Sequence, residues 1–160
     1  MANIDAAFGL RPYKMLGAGA NTSGLVSYPI QTIATAGSAS VIYQGTTVIP
    51  LANGMLDIVG NANGGTVPIL GVFMGCEYTD LNGTPTFNNQ YPGTAAVKAN
   101  TAVTGLISAN PDQLFLINCD AAAADLIVHA NANLATGITG NSLNGISYGE
   151  LAVSTVNTTN

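Results

Sequence analysis

The stretch Thr66-Val67-Pro68-Ile69-Leu70-Gly71-Val72-Phe73-Met74-Gly75-Cys76-Glu77-Tyr78-Thr79, followed by Asp80-Leu81-Asn82-Gly83-Thr84-Pro85, decides the fold class. Its apolar run from Ile69 to Met74 is short and nearly continuous, the pattern of a strand covered on both faces. Pro68 lacks a backbone N–H and belongs at the start or edge of that strand. Asn82-Gly83 then favours a hairpin turn, because both residues accept positive φ angles. Working outward, Tyr28 to Ile33, Ser40 to Tyr43, Thr46 to Leu51 and Asp57 to Val59 are short segments rich in β-branched or aromatic residues. Gln44-Gly45-Thr46 and Asn53-Gly54 supply turns between them. Downstream, residues 86 to 95 read as an exposed loop, and Ala96 to Ile107, Leu114 to Ile117 and Glu150 to Val156 as further strands. The helical segment expected is Asp120 to Asn131, with Asp120 as its cap, although Val128-His129-Ala130 fits a strand equally well. The expected architecture is mainly β: a compact barrel or sandwich, with a jelly roll among the topologies and at most one or two short helices.

Residues 1 to 27 differ from this pattern. Gly17, Gly19 and Gly24 break the segment, and Pro12 drives Arg11 away from helical angles. The chain therefore divides into an irregular, extended N-terminal arm, 1–27, and a single β-rich domain, 28–160. Its 160 residues suffice for a core without a metal or disulfide staple.

Charged residues make up only 7% of the chain, against about 25% in ordinary globular proteins. With Arg11, Lys14 and Lys98 as the sole Lys and Arg residues and a net charge of −5, it lacks the cationic cluster that nucleic acid or an anionic membrane requires. The first residues show no signal peptide, no apolar segment is long enough to span a bilayer, and synthesis in a cytoplasm is expected. A surface of amides, hydroxyls and small apolar groups suits a chain that buries its exterior against partners.

Chemistry-bearing patterns are sparse. His129 is the single histidine, without coherently spaced zinc ligands or a Gly-x-Ser-x-Gly elbow, and reads as structural or surface. Glu77 and Asp80 are the nearest carboxylate pair, but Asp80 belongs to a turn and Glu77 is expected to face solvent. The run from Asp57 to Gly65 resembles a calcium loop without EF-hand spacing or its closing Glu. Gly17-Ala18-Gly19 lacks the rest of a nucleotide fingerprint. Cys76 and Cys119, each after apolar neighbours, read as buried free thiols. No enzyme, metal or cofactor is expected.

Phe73 and Phe115 lie inside strong strand patterns and are assigned to the core. Phe8, Arg11 and Tyr13 instead lie in the arm, where an isolated domain offers little cover. Aromatic and Arg side chains are typical interface anchors, so these three are the expected partner contacts; the alternative is an arm that folds back onto its own barrel.

The opening Met1-Ala2-Asn3-Ile4-Asp5-Ala6-Ala7-Phe8-Gly9-Leu10-Arg11-Pro12-Tyr13 resembles the start of small virion proteins of tailed bacteriophages, notably marine and cyanobacterial ones. Those chains open with variants of M-A-N-x-D-A-P-F-G-x-R-P-V; here Ala7 replaces Pro and Tyr13 replaces Val. The similarity continues at Ile42 to Val48, with Thr46 where Asp is common, and at Ile69 to Tyr78. It resumes at Asn110 to Phe115 and ends at Gly149-Glu150-Leu151. The resemblance implies a capsid decoration or cement protein on the outer surface of the phage head, often a homotrimer, with the major capsid protein and its own copies as partners. A competing expectation is a host-facing head fibre, adhesin or glycan-binding module. It would use the loops at 80 to 95 or 137 to 147, with Tyr91 as an exposed aromatic. A polysaccharide hydrolase, with Glu77 or another carboxylate paired in a deep cleft, is the enzymatic alternative.

Overall fold

The computed structural model describes residues 7–17, 24–30, 41–58, 68–122, 129–135 and 139–156. They form a mainly β fold. The strands are β1 (Arg11–Met15), β2 (Val26–Pro29), β3 (Thr47–Pro50), β4 (Leu56–Ile58), β5 (Gly71–Thr79), β6 (Pro85–Asn88), β7 (Thr104–Ser108), β8 (Gln113–Leu116), β9 (Asn118–Cys119), β10 (Gly140–Asn141), β11 (Ile146–Ser147) and β12 (Glu150–Leu151). Six of them make one sheet in the order β2-β7-β5-β3-β4, with β6 also paired to β5. The others form two-stranded pairs: β1 with β8 and β10 with β11 antiparallel, β9 with β12 parallel. Just after β2, Ile30 makes a parallel bridge to Leu56 in β4, so the two ends of the sheet path touch.

The described part of the Thr66 to Pro85 stretch, from Pro68 on, forms the axis of the sheet. β5 carries β7 along one edge, and β3 followed by β6 along the other. The β5–β6 hairpin turns at Asp80 to Thr84, where Gly83 has φ +87° and the Asp80 carboxylate accepts the Thr84 N–H at 2.8 Å. Glycine is required there by the backbone angle, as the Asn-Gly signal anticipates.

Both Phe73 and Cys76 belong to the core cluster, although an odd spacing puts them on opposite faces of a regular strand. A β-bulge reconciles the two. Against β7, Phe73 pairs with Ile107 and Gly75 with Leu106, leaving Met74 as the additional residue. The phase therefore switches at Met74, and Cys76 and Tyr78 turn inward while Glu77 turns outward. The apolar run is accordingly not a strand buried evenly on both faces: Ile69 precedes the strand and is exposed, and Met74 occupies the bulge.

The core joins Ile30, Val48, Leu56, Phe73, Cys76, Tyr91 and Ile107 with Ile42, Val97 and Val103. Gly105 lets Ile30 and Leu56 lie directly over β7, since a Cβ there would stand 3.1 Å from Ile30 and 3.4 Å from Leu56. Burial of a side chain such as Phe73 contributes roughly 1.5–3 kcal/mol.

Several boundaries differ from expectation. Residues 86–88, read as loop, belong to β6, because the hairpin turn carries the chain back alongside β5. Of Ala96 to Ile107, only the end is strand, preceded by a short 3-10 turn at Thr94–Ala96. Glu150–Leu151 is strand, and Val153–Thr155 then turns. Asp120 does not begin a helix: its carboxylate accepts the Val153 N–H at 2.9 Å, and Ala121 and Ala122 are not helical. The remainder of that segment up to residue 128 lies outside the described residues. Phe115 is half-buried, because its strand pairs with β1 outside the six-stranded sheet.

Candidate contact surface

Two glycines fix the entry of the N-terminal segment. Gly9, at φ +66°, packs so closely that a Cβ would stand 2.9 Å from the Gly45 carbonyl oxygen and 2.9 Å from the Ser147 Cβ. Gly45, at φ +90°, accepts the Leu10 N–H on its carbonyl at 2.9 Å. Residues 8 to 10 are thereby seated between the turn before β3 and strand β11.

Phe8 is half-buried beside this junction and lines a cleft of about 320 Å³ with Gln44, Met74 and Ile146. The Arg11 guanidinium lies 5.0 Å from the Phe8 ring centroid, within cation–π range. The structure thus brings Phe8 and Arg11 together. Tyr13 stands apart from them. It is the bulged residue of β1, between Pro12 opposite Phe115 and Lys14 opposite Leu114, and is 62% exposed. Arg11, Pro12 and Lys14 are exposed as well, as is Leu116 directly across from Arg11. A ribbon of two strands is marginal on its own. This one gains further support from the Gln113 side-chain amide, which donates to the Lys14 carbonyl at 3.2 Å.

Sequence reading missed Leu16 and Leu116, which extend the exposed apolar surface along the ribbon, and Leu143, 95% exposed in the turn between β10 and β11. The exposure of Leu16 and Leu116 follows from the long-range β1–β8 pairing and leaves no local signal, whereas Leu143 is exposed by the local turn that holds it.

The other named residues scatter. Tyr91, expected to be exposed, is completely buried: its backbone pairs both ways with Ile42, and its hydroxyl finds no hydrogen-bond partner among the described residues. Burial, with a smaller contribution from Cys76, pushes its pKa up to about 12. Cys76 is buried and its thiol is likewise pushed up to about 12 by desolvation, whereas Cys119 is half-buried; both are free thiols. His129 is exposed with φ +66°. Asp57 is raised by partial burial, opposed by the Ile58 N–H at 2.7 Å, and residues 59–67 of its glycine-rich loop lie outside the described residues. No group of three or more metal-binding side chains occurs among the described residues.

A second cleft, of about 450 Å³, opens on the outer face of the sheet, beside Glu77, Thr79, Pro85, Phe87, Ala102 and Thr104. Glu77 lies opposite Phe87 on one side and Thr104 on the other, so three strands present one row.

No model of a known protein family, no curated protein and no solved structure matches the chain.

Proposed function

We propose that this protein is a structural component of a tailed-bacteriophage head, a capsid decoration or cement protein on the outer surface that clamps neighbouring capsomers. The observation that carries this reading is the exposed β1–β8 ribbon. It holds Arg11 and Lys14, two of the 3 cationic side chains in the chain, beside exposed Tyr13, Leu16 and Leu116. Such a mixture of Arg, aromatic and aliphatic anchors suits the desolvated centre of a protein interface. The rest of the surface, poor in charge, suits a molecule that is covered on assembly.

In this reading the sheet curls into a small barrel, with the Ile30–Leu56 bridge as its point of closure. The protein acts as a homotrimer synthesised in the host cytoplasm. Threefold symmetry lets each weak ribbon contact reinforce the others, because the second and third contacts form at high effective concentration. The mechanism is stapling against outward pressure, without a chemical step.

Cryo-electron microscopy of heads carrying this chain tests the proposal. Density is expected at threefold or quasi-threefold positions, with the ribbon on neighbouring capsomers. Hot-spot truncations cost about 2 kcal/mol or more, so Tyr13→Ala is expected to lower affinity for stripped heads roughly thirty-fold with an unchanged circular dichroism spectrum. Heads lacking such density, or heads that bind the variant as tightly, overturn the clamp.

A further inference from the structure

We propose that the 450 Å³ cleft on the outer face of the sheet binds a neutral saccharide, with Phe87 as the stacking platform and Glu77 as the principal hydrogen-bond acceptor. The site follows from strand register. Alternate residues of a strand point the same way, and the bulge at Met74 turns Cys76 and Tyr78 into the core, leaving Glu77 and Thr79 on the outer face. Phe87 and Thr104 flank Glu77 in register, and Pro85 lies opposite Thr79.

The ring of Phe87 has a built seat. A Cβ at Gly75 would stand 3.4 Å from the Phe87 Cζ and 3.0 Å from the Asn88 carbonyl oxygen, so glycine lets the ring lie close over β5. Phe87 nevertheless remains 64% exposed. The core takes little of this ring, and one of its faces is left for a ligand.

The polar groups select the ligand class. An aromatic face carries negative potential and attracts the polarised axial C–H groups of a pyranose. The exposed Glu77 carboxylate, which no described residue engages, accepts hydrogen bonds from sugar hydroxyls, and charge assistance strengthens them. Thr79 and Thr104 hydroxyls both donate and accept, matching a polyol. Glu77 disfavours an anionic sugar. A quaternary ammonium is a poorer fit, because such cations are held by cages of several rings, whereas Tyr78, which also borders the cleft, packs against the core and leaves Phe87 as the exposed ring. The volume lies in the usual range of ligand pockets, roughly 300–1,000 Å³. This inference does not depend on the capsid reading.

Saturation-transfer NMR on the full-length chain provides the test, using the neutral methyl glycosides of glucose, galactose, mannose and N-acetylglucosamine, with glucuronate and choline for comparison. At least one neutral glycoside is expected to bind, with affinity reduced tenfold or more by Phe87→Ala and several-fold by Glu77→Gln. Phe87→Trp and Leu143→Ala are expected to retain binding. The proposal is overturned if no neutral glycoside binds, if Phe87→Ala binds as well as the parent, or if glucuronate or choline is preferred.

Discussion

The Cys76 thiol lies 3.4 Å from the Gln90 carbonyl oxygen, in an interior that opposes the thiolate. Tyr91 shares that interior, and both groups are held neutral up to about pH 12, above ordinary values of 9.0 for Cys and 10.0 for Tyr. Between those limits the native state binds more protons than the unfolded chain, so stability falls as pH rises. The contribution is intact below pH 9 and is lost as pH approaches 12. Urea midpoints are therefore expected to show no loss from these two groups between neutrality and pH 9 and to decline above it, with a shallower decline in Cys76→Ala. Mass spectrometry after iodoacetamide treatment of the native protein should find Cys119 modified and Cys76 spared. The inward position of Cys76 was legible from its apolar neighbours, whereas that of Tyr91 was not. Tyr91 lies in a run of Asn, Gln, Pro and Gly that reads as loop, and only its pairing with Ile42, distant in the chain, encloses it.

Turns and hairpins were the elements most legible in the sequence, because Asn-Gly signals act through backbone angles that neighbours need not supply. The β-bulge at Met74 was hidden, since a continuous apolar run conceals a change of phase. Likewise, Asp120 had a genuine capping capacity, but a distant backbone N–H claimed it. The docking of residues 8 to 10 onto the turn before β3 was hidden for the same reason: Gly9 looks like any arm glycine until Gly45 and Ser147 face it. Gly9→Ala places a methyl group at both contacts and strains a positive φ. The strain costs about 1–2 kcal/mol and overpacking typically 1–3 kcal/mol more. The variant is expected to lower the urea midpoint and to speed amide exchange across β1. An unchanged midpoint and exchange pattern would show that this junction does not hold the segment.

Across the whole molecule, 3 basic and 8 acidic residues leave little scope for ion-pair networks. Stability must come from the six-stranded antiparallel sheet, its core and its hydrogen bonds. Surface ion pairs contribute about 0–1 kcal/mol each even where they form. Raising sodium chloride from 0.05 to 1 M is therefore expected to move the calorimetric melting temperature by no more than about 2–4 °C. A mainly β fold was readable from the many short β-rich segments, but the strand order was not, because it depends on pairings between distant segments. The β1–β8 ribbon is the extreme case, joining Lys14 to Gln113 across 99 positions. Closing so long a loop costs entropy before any contact offsets it, and pairings of that range form slowly. During synthesis β1 emerges first and has no partner until most of the chain has followed. The surface carrying Arg11, Tyr13 and Leu116 is thus completed only after β8 has been made, which gives the ribbon the character of a timer: a chain that stops short of β8 cannot present it.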